Sequence, residues 1–245
     1  MKLWLYALGM CQSMFCALPF PWHGWEEKAR DRMLLCLPLI GLEIGLVWWG
    51  LLWICDWFGL PQAIRAVVLT AAPYLLTGFM HLDGFMDVTD AVRSYRSLER
   101  RREILKDSHV GSFAVIGVVL VMLCQFSASV SLYPGMRITV LILIPVVSRC
   151  CSVIAIQLLP PMATSQYAHR QPHVAAPVVM LILAIAAGFW MRTKFGLTLL
   201  GCVAGFCLAL LRGYRSLKGM NGDISGYCLT IGELSALVTL AVLYR

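Results

Sequence analysis

Between residues 33 and 244 the chain is a succession of long apolar stretches, at about 33–58, 62–80, 110–133, 137–159, 174–191, 195–211 and 224–244, broken only by short polar segments. Roughly 20 apolar residues cross the hydrocarbon core of a bilayer. A segment in lipid must also satisfy its own backbone hydrogen bonds, so each stretch reads as a membrane helix. Of the 245 residues, 60% are hydrophobic and 13% charged, where a soluble domain carries about 25% charge. A soluble globular enzyme and a disordered chain are both excluded. The expected fold is all-α: a single polytopic transmembrane domain over residues 1–245, with about six or seven spans.

Residues 3–20 are apolar but short and end at Pro19 and Pro21, with no small-residue cleavage site before a mature domain. They read as an interfacial or membrane-dipping helix rather than a signal peptide. The ten cysteines fall almost entirely inside apolar runs and form no C-x-x-C pair. They read as small buried hydrophobes and offer no zinc site.

Four polar segments remain, at 21–32, 81–109, 160–173 and 212–223, and seven spans starting at residue 33 place all four on one side. They hold thirteen of the twenty Lys and Arg residues, against five on the opposite side. The positive-inside rule puts the richer side in the cytoplasm. The segments at about 81–109 and 212–223, the loops that hold most of the candidate chemistry, are therefore expected to face the cytoplasm.

Six of the thirteen acids lie between Asp83 and Asp107. Asp83, Asp87 and Asp90 are spaced i, i+4, i+7, which stacks them on one face of a helix. Three stacked carboxylates repel one another unless a cation lies among them. Hard oxygen donors without clustered His or Cys suit Mg²⁺, with Mn²⁺ as the alternative. Glu103 and Asp107, again i, i+4, are candidates to complete the shell. Around them stand Arg100, Arg101, Arg102 and Lys106, which could hold phosphate oxygens or simply rest on anionic lipid. An acidic and a basic cluster together beside a membrane suit metal-assisted phosphoryl transfer. In this reading Arg100, Lys106 and Lys218 neutralise phosphate charge, and a carboxylate or His81 accepts a proton.

Gly219, Asn221, Gly222 and Asp223 follow Lys218 in a turn that can offer backbone N–H groups, that of Gly222 among them, to a phosphate. Arg149 and Glu233 are ionisable residues inside apolar spans. Such residues are functional candidates by default, and a structural Arg149–Glu233 pair is equally open.

The run HLDGFMDVTDA at 81–91, followed by LERRREILKDSHVG at 98–111, closely resembles the hallmark of the cobalamin synthase family (adenosylcobinamide-GDP ribazoletransferase). Ser148–Arg149, the GMNGDISG segment and Gly232–Glu233–Leu234 resemble further family pieces in the same order. Here Ala91, Leu105, His109 and Asn221 replace the family's usual Gly, Met, Arg and Thr. The resemblance implies a Mg²⁺-dependent membrane transferase whose substrates are adenosylcobinamide-GDP and α-ribazole or its 5′-phosphate, with GMP released. It places Ser108, Arg149 and Asp223 among the substrate-binding residues. The lipid bilayer is the other expected partner, an oligomer is compatible and no nucleic acid is expected. A CDP-alcohol phosphotransferase would show D-G-x-x-A-R, whereas Asp83–Gly84 is followed by Phe85, Met86 and Asp87. A transporter for a cation or corrinoid would place its acids at the midplane between broken helices.

Overall fold

The computed structural model describes residues 2–21, 24–133, 138–162 and 173–245, and among these the fold is all-helical. Helix α1 spans Lys2–Phe15. A largely helical run from Glu27 to Trp57 follows, with a short α2 (Arg30–Met33) leading into α3 (Leu37–Trp57). Then come α4 (Gln62–Leu76), α5 (Met80–Arg93), α6 (Leu98–Ile104), α7 (Ser112–Val130), α8 (Ile144–Leu158), α9 (Ala175–Met191), α10 (Thr193–Leu217) and α11 (Gly222–Leu243). Among the described residues, five helical runs are long and apolar enough to cross a membrane, or six if the bent pair α4 and α5 is counted as one span. Helix α9, apolar over its 17 residues, is just shorter.

The 62–80 stretch does not continue as one straight helix. It stops at Leu76, and α5 leaves at 89° to α4. Gly78 and Phe79 both take left-handed φ values, +58° and +63°, which a helix cannot carry. Thr77 helps to close α4, donating its hydroxyl to the carbonyls of Pro73 (2.9 Å) and Tyr74 (3.2 Å). The polar segments are also more helical than loops: α5 and α6 occupy most of 81–109, and α10 runs on to Leu217.

Helix α1, at 14 residues, is about 21 Å long and too short to span. It follows the first half of the Glu27–Trp57 run, from Trp4 beneath the Arg32 guanidinium to Gln12, whose amide donates to Glu43 at 3.0 Å. It ends with Phe15 stacked on His81. The short helix expected over 3–20 is thus present, and it stops at Phe15.

Small residues let the spans approach closely, as membrane packing favours. On α10, Gly201 and Gly205 face Thr239 and Ser235 of α11, and Gly232 of α11 lies against the Cys202 carbonyl. Gly41 and Gly45 of α3 face the backbone of Pro145 and Ile142. One core, around Trp48, Ile144, Leu199 and Leu237, fills one half of the bundle. A second, around Val88, Phe206, Leu217 and Ile224, fills the half under α5 and α6. At the end away from α6, buried Arg65 pairs with Asp56 at 2.7 Å and reaches the Leu132 carbonyl.

Candidate active site

Helix α5 is amphipathic because its sequence alternates HxxGF with carboxylates at helical spacing. His81, Gly84, Phe85, Val88, Ala91 and Val92 are buried, while Asp83 is exposed and Asp87 and Asp90 are half-buried. The buried face packs on α11, and two glycines set how closely. A β-carbon on Gly84 would stand 2.9 Å from the Asp223 carbonyl oxygen, and one on Gly226 would stand 3.0 Å from that of His81. Thr230 adds a hydroxyl bond to the His81 carbonyl at 3.3 Å.

This contact brings Asp223 to the α5 acids. The carboxylates of Asp83, Asp90 and Asp223 all lie within electrostatic reach of Asp87. Asp223 is placed by Asn221, whose Oδ1 accepts from the Ile224 N–H (3.0 Å) and whose Nδ2 donates to the Asp223 carboxylate (2.7 Å). Asn is among the best helix N-caps, so its presence in place of Thr keeps the start of α11 intact. Asp90 lies directly against Gly111, where a β-carbon would collide with both carboxylate oxygens.

Among the described residues the α5 carboxylates have no hydrogen-bonded or ion-pair partner. Four acids held together in this way suit a hard divalent cation by donor chemistry. Among the described residues, however, no three His, Cys, Asp or Glu side chains converge tightly enough to enclose an ion as they stand.

Helix α6 divides its charges between solvent and protein. Arg100 pairs with Glu103 at 2.7 Å on the exposed face. Arg102 instead turns inward, donating Nε to the Leu217 carbonyl (3.0 Å) and Nη2 to that of Lys218 (2.9 Å), and Arg101 reaches the Ser216 carbonyl (3.3 Å). Asp107 is taken up by His109, whose backbone N–H (3.0 Å) and ring Nδ1 (2.6 Å) both meet its carboxylate. These two contacts hold the Asp107 carboxyl below its ordinary range. Glu99 is likewise held low, by its own backbone N–H and the Ser97 hydroxyl. Lys106 and Ser108 are exposed on the segment leaving α6.

Lys218 ends α10 in a left-handed conformation, φ +54°. The turn after it is fastened from another side, since Met162 donates to the Met220 carbonyl and Met220 to the Pro160 carbonyl, each at 2.9 Å. Thus 160–162, α6, the 218–222 turn and α5 gather at one end of the bundle. The rest of the 160–173 segment, apart from His173, lies outside the described residues.

A deeper polar layer holds the other candidates. Arg149 is fully buried and paired with Glu233, and Ser148 donates to the same carboxylate at 2.7 Å. His81 is turned into this layer rather than toward the exposed face of Asp83, and its Nε2 is buried without a partner among the described residues. Asp83, Asp87 and Asp90 therefore do share a face and Asp223 joins them, with Lys218 exposed five residues before Asp223 at the end of α10, while Arg149 and His81 lie beneath. Two placements do not follow from spacing along the chain: Asp223 beside the α5 acids, and Arg101 and Arg102 as backbone anchors. The Gly84 and Gly226 notches are the sequence signal that could have revealed the first.

A polytopic helical bundle whose aspartates, basic side chains and glycine-rich turn meet at one end, not at its midplane, has the build of a membrane-embedded transferase. The chain belongs to the Cobalamin-5-phosphate synthase family, whose model matches residues 7–241. The adenosylcobinamide-GDP ribazoletransferase of Clostridium perfringens (strain 13 / Type A) is 32% identical over 251 residues, covering 99% of this chain and 100% of that protein. The protein of the same name from Lachnoclostridium phytofermentans is 32% identical over 243 residues (95% of this chain, 92% of its own). That from Brevibacillus brevis is 29% identical over 239 residues (93% and 94%). No solved structure matches the chain.

Proposed function

We propose that the protein joins α-ribazole, or its 5′-phosphate, to adenosylcobinamide-GDP with release of GMP, a late step of cobalamin biosynthesis, at the membrane. The observation that carries this reading is the meeting of α5, with its three aspartates, and the Lys218–Asp223 turn at one end of a membrane bundle. Family membership and the names of its relatives supply the substrates. The alternatives, a CDP-alcohol phosphotransferase and a transporter, gain no support from either.

In balanced form, a ribazole hydroxyl oxygen bonds to the cobinamide-bearing phosphorus of the pyrophosphate. The bond from that phosphorus to the bridging oxygen breaks, and GMP leaves with the electron pair. The hydroxyl proton passes to a base. Asp83, Asp87, Asp90 and Asp223 would hold Mg²⁺, which when bound supplies charge neutralisation and polarisation of the pyrophosphate. Lys218, together with Arg100, Lys106 and Ser108 at the edge, would bind phosphate oxygens and oppose their charge. One of the four carboxylates takes the proton, since His81 is packed against Phe15 below them. The polar end faces the cytoplasm, where nucleotide-linked substrates are made.

GMP release by the purified protein in liposomes tests this directly. Chelation should stop turnover and Mg²⁺ should restore it. Asp83→Asn and Asp87→Asn should each lower the rate by about 10²-fold or more. Near-normal rates in both variants at saturating Mg²⁺ would refute the assignment.

A further inference from the structure

The sequence offers four cations at 100–106 as one phosphate-binding group, yet their contacts separate them. Arg100 points to Glu103 in solvent, whereas Arg101 and Arg102 spend their guanidinium groups on the last carbonyls of α10. We infer that Arg102, assisted by Arg101, is a positioning residue: it caps α10 and holds the Lys218 turn in the geometry its substrate contacts require.

The last carbonyls of a helix have no partner within the helix and need outside donors. Glycine usually takes the left-handed position that ends a helix. Here Lys218 takes it, although its β-carbon makes that conformation unfavourable, and Gly219 stands one residue further on. The planar Arg102 fork bonds to two successive carbonyls, those of Leu217 and Lys218, on either side of the unfavourable φ. Its charge also lies at the negative end of the α10 dipole. Three residues beyond Lys218, Asn221 caps α11 and orients Asp223, so one guanidinium fixes the approach to both the lysine and the fourth carboxylate. Helix α6 has no buried residue of its own. Its seat comes from the two arginines and from Leu105, buried with Leu217 and Met220 immediately after it.

Lys218 as a phosphate ligand rests on the function proposed above, so the test separates the two ideas. Full-length Arg102→Ala, Arg102→Lys and Arg96→Ala are compared in lipid nanodiscs by amide hydrogen exchange over residues 216–223. Exchange there should quicken at least tenfold in Arg102→Ala. It should quicken less in Arg102→Lys, which keeps the charge but loses the fork. Exchange in α7 should stay unchanged, as should all exchange in Arg96→Ala. In turnover, Arg102→Ala should raise KM for adenosylcobinamide-GDP about tenfold or more. Adding it to Lys218→Ala should cost less than a further twofold, because both changes disable one unit. Wild-type exchange at 216–223 in both Arg102 variants overturns the clamp, as does a double variant whose losses multiply. A loosened turn with a fully active Lys218→Ala upholds the clamp and instead removes Lys218 from the phosphate site.

Discussion

At the scale of single residues, the α5 aspartates and Asp223 reached their common site by different routes. Asp83, Asp87 and Asp90 are legible from spacing alone, because helical periodicity is local and needs only their own helix. Asp223 is more than 130 positions away on α11, and only the packing of Gly84 against its backbone brings it in. Nothing periodic announces such a contact. If Asp223 shares the cation, Asp223→Asn should raise the Mg²⁺ concentration for half-maximal activity by about tenfold, as much as Asp90→Asn does. A Mg²⁺ titration of GMP release measures both, and an unchanged midpoint in Asp223→Asn would exclude it from the ligand set. Glu103 and Asp107 share the i, i+4 spacing of the α5 acids, but Arg100 and His109 have taken them up on an exposed segment. Spacing alone could not tell the two groups apart, since the difference lies in which side of the helix faces other protein. Because His109 holds the Asp107 carboxyl low, that contact persists through neutral pH and is lost only as the acid range is entered.

At the scale of elements, apolar run length located the spans but not the break between α4 and α5. Hydropathy is continuous across 62–80. The bend depends on two left-handed residues, one of them Phe79, for which the sequence gives no warning. The break matters, because a straight helix would carry His81 and Asp83 along the α4 axis instead of across the start of α11. The α5–α11 fit is the element on which the site depends, so Gly84→Ala is the sharpest probe of it. Its new β-carbon meets backbone at 2.9 Å, and something must shift. Overpacking of this kind costs about 1–3 kcal/mol, and the shift separates Asp223 from Asp83 and Asp87. Gly84→Ala should therefore lower both thermal stability and turnover. Gly50→Ala in α3, where a β-carbon meets nothing within 4 Å, should be neutral or stabilise by up to about 1 kcal/mol. Thermal melts in detergent with parallel rate measurements compare them. Equal behaviour of the two variants would mean that the α5–α11 approach is not tight.

At the scale of the whole molecule, charge and packing agree on a two-ended bundle. The end with α6, the 160–162 strand-like pairing and the α10–α11 turn carries most of the basic residues. The opposite end joins Asp56, Arg65 and Leu132, and exposes Trp57 and Trp190, which suit a membrane–water boundary. Thirteen basic residues in the polar segments, against five in the segments between them, are the asymmetry on which the proposed cytoplasmic orientation rests. This orientation is testable without removing the native cysteines. Eight of the ten are buried, and Cys124 and Cys207 lie within the spans α7 and α10, so a charged, membrane-impermeant maleimide should leave the parent chain unlabelled. Ser97→Cys and Ser216→Cys report on the α6 end, and Ser131→Cys, in the turn after α7, on the other. In intact cells with the outer barrier opened, only Ser131→Cys should react, and the first two should react only after the inner membrane is permeabilised. Reaction of Ser97→Cys and Ser216→Cys from outside would invert the orientation while keeping the bundle. Opposite accessibility of those two positions would break the bundle itself, because the Arg101 and Arg102 contacts hold α6 against the end of α10.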